Sequence, residues 1–236
     1  MKIKSQKLKN ILQTLHNFLP EKSTILLLSK AGSKTFGLRG DETQEEIYGI
    51  FHAENFWEHI VLEKRGLKIE MVELQKFLQE APYRYGVLCC AHFANPIYIH
   101  PKFDYPTLRK LFIFSACFTT PLFKTKGLNF FVLPDKILQL YWDLMVRLHI
   151  LKTGKCVLNI NRLKKYYRFP MIDILQKRAQ AKPLTANAKQ KIKNDILKMY
   201  KELQKFQAKR EKVSDFFQKW KQWEEKIRKT FLLSSR

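Results

Sequence analysis

The chain has 236 residues, 45% of them apolar, with 18 Phe and 9 Tyr, 44 Lys+Arg against 21 Asp+Glu, and a formal net charge of +23. That apolar content excludes a disordered chain, and the length suffices for one large core or two small ones. No apolar run approaches the roughly 18 residues of a membrane span, so no membrane partner is expected.

The charge is unevenly placed. Residues 1–150 hold 20 Lys+Arg and 14 Asp+Glu, a net of +6, whereas residues 151–236 hold 24 and 7, a net of +17. A one-sided positive field attracts polyanions, above all nucleic acid. The competing reading is a lysine-rich helical surface that only keeps the chain solvated. Met1-Lys-Ile-Lys has a basic start but no apolar run behind it, so a leader is not expected and a cytoplasmic location is.

Leu8, Ile11, Leu12, Leu15 and Leu19 recur at helical spacing up to Pro20, predicting an amphipathic first helix. Residues 23–28 form a short apolar run that reads as a buried strand. Gly32-Ser33 opens a turn or short helix, residues 47–52 read as a second strand, and residues 67–72 as a third. A helix begins in 73–79, with Leu74, Phe77 and Leu78 on one face. Residues 87–93 fit a helix or a buried strand. The Pro96-Ile-Tyr-Ile-His segment reads as a short strand bounded by prolines, and Asp104 or Thr107 opens a helix to about Phe114.

Pro134 suits a first helical turn, and Leu138 to Leu148 continue the helical spacing until Thr153-Gly154 stops it. Pro170 interrupts a basic, aromatic segment over 161–180. Beyond Pro183 there is no Gly or Pro, which predicts two long helices, or one with a bend near Val213-Ser214. Ile192, Ile196, Met199, Leu203 and Phe206 mark one apolar face, and Phe216, Phe217, Trp220, Trp223 and Ile227 mark another. The expected class is α+β, with a small mixed sheet and flanking helices over residues 1–125 and a basic helical domain over 126–236.

One stretch carries chemistry. Gly32-Ser33-Lys34-Thr35-Phe36-Gly37-Leu38 is followed by Thr43-Gln44-Glu45-Glu46 and then Gly49-Ile50. It resembles the signature of the DNA polymerase-β-like nucleotidyltransferase superfamily, nearest to the predicted nucleotidyltransferases associated with RNA ligases. That pattern runs Gly-Ser, two residues, aromatic, Gly-Leu, a spacer, then Ser-Asp-x-Asp-x-x-Gly. Thr43 takes the Ser position, and Gln44 and Glu46 take the two Asp positions. Arg147 to Gly154 resembles the helix end of the same family, and 172–178 followed by helix fits its order of elements. Coverage is about residues 23–207.

The resemblance implies a nucleotidyltransferase-like fold and metal-dependent nucleotidyl transfer to an RNA end or a protein hydroxyl, with Mg²⁺ or Mn²⁺ as cofactor when the site is active. Such transfer needs two ions about 3.5–4 Å apart, held by carboxylates at i and i+2 of a strand, which share a face, and by a third on a neighbouring strand. Gly32 and Ser33 would then meet the nucleotide phosphates, Glu46 and Glu70 would be the metal ligands, and Gln44, Glu46 and Glu70 the catalytic set. Gln44 is neutral, and Glu46 carries its carboxylate one methylene further out, so a catalytically inactive nucleic-acid-binding or scaffold protein of the same fold is the alternative. Asp41, Glu42 and Glu45 either rescue the metal site or form a solvated acidic loop. Glu70 itself fits a surface position on an alternating strand equally well.

Other chemistry is sparse. Cys89, Cys90, Cys117 and Cys156 lack metal-ligand spacing and read as core residues. His52 and His59, if helical, would lie about 10 Å apart along the axis, and His92 and His100 flank a proline turn with no ligand beside them. Arg162, Lys164, Lys165, Tyr166, Tyr167 and Arg168 interleave cations with rings, a pattern suited to phosphates and unpaired bases; the other reading places the two tyrosines partly in the core. Lysines 189 to 209 cannot share one helix face. Trp220 and Trp223 pack on another helix or on a partner chain, which leaves a protein partner through the C-terminal helix as a third expectation.

Overall fold

The computed structural model describes residues 6–38, 44–64, 66–84, 92–115, 134–177, 184–206 and 210–233. In chain order these form α1 (Gln6–Phe18), β1 (Thr24–Ala31), α2 (Gly32–Phe36), β2 (Glu45–His52), β3 (His59–Lys64), β4 (Leu67–Glu73) and α3 (Leu74–Arg84). There follow β5 (Pro96–Ile99), α4 (Tyr105–Ser115), α5 (Pro134–Thr153), α6 (Ile160–Leu163), α7 (Pro170–Lys177), α8 (Ala186–Gln204) and α9 (Arg210–Phe231). The fold is α+β, with a mixed sheet ordered β3-β4-β2-β1-β5. β2 and β4 run parallel, and the remaining pairs are antiparallel.

Alternation on β2 and β4 divides the sheet into two faces. Ile47, Phe51, Ile69 and Met71 point to one face, where Ile11 and Leu15 of α1 cover them. Gly49 lies on this side because a Cβ there would stand 2.3 Å from the Met71 sulfur and 2.7 Å from Leu28. Leu26, Leu27 and Ile50 point the other way, into a core shared with α3, α4 and α9. β1 is covered on both faces, which is why it reads as an unbroken apolar run rather than an alternation.

β3 is the one strand of the described sheet that the sequence reading passed over. Its residues His59, Val61, Glu63 and Lys64 are exposed, as suits an edge strand guarded by charge. His52 and His59 consequently stand on two strands rather than on one helix. Residues 85–91 lie outside the described set, so most of the 87–93 segment does too, as do Cys89, Cys90 and Cys117.

The helical half closes around a third core. Phe36 and Leu38, just after the Gly-Ser turn, pack with Tyr141, Trp142, Met145, Ile160, Leu163, Ile172 and Ile196. Gly154 ends α5 with φ +68°, and its N–H donates to the Ile150 carbonyl at 2.7 Å, the left-handed stop that the Thr-Gly pair announces. Beyond α7 the chain forms two helices, and α9 runs straight through Val213-Ser214. The aromatic face of α9 is filled from within the chain. Phe216, Trp220, Trp223, Ile227 and Phe231 are buried against Phe77, Phe103, Leu108 and Phe112, so most of this face packs on other helices of the chain, while Phe217 remains exposed. No helix among the described residues is long and apolar enough to cross a membrane.

Candidate functional site

Glu46 and Tyr48 of β2, and Lys68 and Glu70 of β4, are all even-numbered on strands whose odd positions face α1, so the four share the opposite face of the sheet. The parallel register sets Glu46 opposite Lys68 and Tyr48 opposite Glu70. The Tyr48 hydroxyl lies within hydrogen-bonding reach of both carboxylates and can donate its one proton to either. Burial, then the negative charges of Glu70 and Glu46, push its own ionisation far above the ordinary phenol range. Tyr48 therefore stays protonated, and a donor, at neutral pH.

Gly32 closes the other side of Glu46. Its φ is +84°, and a Cβ built on it would stand 2.4 Å from the Glu46 carboxyl carbon. Only glycine lets the turn come this near. Of the predicted residues, Gly32, Glu46 and Glu70 thus converge. Gln44 lies just before β2 and is half-buried. Ser33 belongs to α2, its side chain outside the described set, as are Asp41, Glu42 and Thr43 entirely. Glu45 faces the α1 side of the sheet and is paired with Lys7 and with Lys30, the latter at 2.9 Å. It cannot rescue a site on the opposite face.

Lys68 is the residue that sequence reasoning missed. Its ammonium lies 2.5 Å from a Glu70 oxygen, and hydrogen bonding to Glu70, with the charges of Glu70, Glu46 and Glu63, holds its pKa above the ordinary lysine value. The signal was available, since Lys68 stands two residues before Glu70 and so shares its face. A pocket of about 190 Å³ adjoins, lined by Tyr48, His59, Glu70, Lys76, Glu80 and His92 among others. His92 stacks on Tyr48 with ring centroids 3.9 Å apart, and burial pushes its pKa down to about 4. His59 reaches Glu70 at 3.7 Å.

The donor set does not fit a two-metal cage as it stands. The first carboxylate position is the neutral Gln44, and an ammonium already occupies the coordinating side of Glu70. Two carboxylates offset by one lysine leave too little negative charge for two divalent ions. Among the described residues, no group of three or more His, Cys, Asp or Glu side chains is placed to hold a metal.

The basic segment grips the Gly-Ser turn from the far side. Asn159 caps α6 by accepting from the backbone N–H groups of Asn161 and Arg162, while its amide donates to the Thr35 carbonyl at 3.4 Å. Gln176 of α7 donates to the Gly37 carbonyl at 2.6 Å. Lys164 turns inward to Asp173 and Gln176. Tyr167 sits under the Lys152 ammonium, 5.8 Å from its ring. Arg162, Lys165, Tyr166 and Arg168 remain exposed, Tyr166 at 65%. Cys156 is half-buried, and burial pushes its thiol up to about 11, which makes it unreactive.

No protein-family model matches this sequence, and no curated protein matches it.

Proposed function

We propose that this chain is a divergent nucleotidyltransferase-like protein that binds nucleic acid, RNA first, through the exposed Arg162, Lys165, Tyr166 and Arg168. The observation that carries this reading is the placement of that surface. The elements on either side of it hydrogen-bond the 32–37 turn, Asn159 through the Thr35 carbonyl and Gln176 through the Gly37 carbonyl, and Gly32, at the start of that turn, lies against Glu46. Cations on this surface hold phosphates, and the exposed Tyr166 ring can stack on an unpaired base. The net +17 of the C-terminal third supplies the long-range attraction. Titration of labelled single-stranded RNA at several salt concentrations tests the reading. The expected log–log slope is about −0.7 for each phosphate neutralised, so roughly −2 for the three cations. A flat dependence contradicts it.

A second reading is favoured by one specific observation, the convergence of Glu46 and Glu70 on Tyr48. Under it the chain transfers a nucleotide with Mg²⁺ or Mn²⁺. Incubation with each α-labelled NTP and an RNA pool separates the two. Label transfer that vanishes in Glu46→Ala supports transfer. Silence in wild type with a gain in Gln44→Asp supports a binding protein whose chemistry has been lost.

A further inference from the structure

We propose that the Lys68 ammonium is a built-in cation, seated between Glu46 and Glu70 where a nucleotidyltransferase-like site would hold a divalent metal ion, and that it sets this site against metal binding. The proposal rests on the reading of Glu46 and Glu70 as one functional carboxylate pair.

The register builds the arrangement. Lys68 is the cross-strand partner of Glu46 on one side and of Glu63 on the other, so acidic residues of both neighbouring strands flank it. Glu70, two residues along the same strand, takes the ammonium at 2.5 Å. The Tyr48 hydroxyl lies within reach of both Glu46 and Glu70 and donates to one of them at a time. Gly32 borders Glu46 closely enough that a Cβ there would stand 2.4 Å from its carboxyl carbon, so the turn closes the group on that side.

The charge balance follows. Glu46 and Glu70 together carry two negative charges, and Lys68 removes one. A divalent cation entering the same space meets a like charge within hydrogen-bond reach of the carboxylate it needs. To bind, it must displace an ammonium that lies 2.5 Å from a Glu70 oxygen. A neutral side chain of similar length at position 68 removes that barrier and leaves the two carboxylates facing each other with no cation between them, an arrangement that itself demands one. Lys68 is therefore a specificity-determining residue, and its exchange for a neutral group converts the site to a divalent-cation site.

The test uses the full chain and Mn²⁺ alone, followed by electron paramagnetic resonance of the free ion, with folding checked by circular dichroism. Lys68→Met is expected to bind one Mn²⁺ at least about tenfold more tightly than wild type, and Lys68→Arg is expected to match wild type. A folded Lys68→Met that binds no better than wild type overturns the proposal. So does a wild type that already binds one Mn²⁺ as tightly as the variant. Adding Glu46→Gln to Lys68→Met separates the proposal from the reading beneath it. Loss of the gained ion supports both, whereas retention leaves Lys68 as the barrier but removes Glu46 from the pair. A second readout needs no uncharged variant. Acetylation of wild-type amines, read by mass spectrometry, is expected to modify Lys68 at least about threefold more slowly than the exposed Lys64, and Glu70→Gln is expected to remove most of that difference. Equal rates in the wild type overturn the seated ammonium.

Discussion

Two residues beside the carboxylate pair make predictions of their own. Gly32 combines a positive φ with a Cβ position inside the Glu46 side chain. Gly32→Ala is therefore expected to cost about 1–3 kcal/mol from backbone strain alone, seen as a lower urea midpoint. It should also loosen the Tyr48 hydrogen bond by displacing Glu46. His92 offers a pH signature. Burial lowers its pKa from 6.5 to about 4, with Glu70 opposing that shift only partly. The unfolded chain takes up this proton as pH falls through 6.5, and the folded chain takes it up only near 4. Stability from this group is thus complete above pH 6.5 and is lost as pH falls toward 4. Between pH 7 and pH 4.5 the loss is roughly 2–3 kcal/mol. His92→Phe preserves a ring against Tyr48 and is expected to abolish that share of the acid loss in urea unfolding. An unchanged pH dependence would contradict the buried neutral imidazole.

At the scale of elements, helices were legible where apolar spacing and stop signals agreed. The pairing of Pro134 with Thr153-Gly154 framed α5 closely, because a first-turn proline and a left-handed glycine act locally. Strands β1, β2, β4 and β5 were legible from apolar runs. β3 was not, because an edge strand needs no buried face, and His59, Val61 and Glu63 carry little periodic signal. The site was half legible for the same reason. Gly32, Glu46 and Glu70 were visible as a pattern in one dimension, but Lys68 gains its meaning only from the parallel register that sets it opposite Glu46. Nor could sequence say what the aromatic face of α9 covers. Spacing revealed the stripe, and only the fold shows it lying on α3 and α4. Trp223 is nearly fully buried there and donates its indole N–H to the Asp104 carbonyl at 3.0 Å. Trp223→Ala is expected to cost about 3–5 kcal/mol, measured by denaturant unfolding. A cost below about 1 kcal/mol would mean that α9 does not pack here.

For the whole molecule, α9 packs into the core beneath the sheet with α3 and α4, and helices α5 to α7 meet the sheet at the short α2 turn. Phe36 stacks on Trp142 with centroids 4.8 Å apart, and Gly37 lies under Asn159 and Asn161, where a Cβ would approach to 3.1 and 3.0 Å. Phe36 and Gly37, just after Gly32-Ser33, thereby dock the helices beside the carboxylates. This joint brings the elements that flank residues 162–168 against the turn beside Glu46, and the proposal of a located nucleic-acid surface rests on it. Lys191, Lys198 and Lys201 of α8 are equally exposed cations that belong to no such arrangement.

That distinction is directly measurable. Single-stranded RNA would be titrated into wild type, into Arg162→Ala/Lys165→Ala/Arg168→Ala, and into Lys191→Ala/Lys198→Ala/Lys201→Ala at one fixed salt concentration. Each triple variant removes three positive charges, so a non-specific field would weaken binding equally in both. The located surface predicts a loss of at least about tenfold in the first variant and a several-fold smaller loss in the second. Equal losses, or a greater loss on α8, would contradict it.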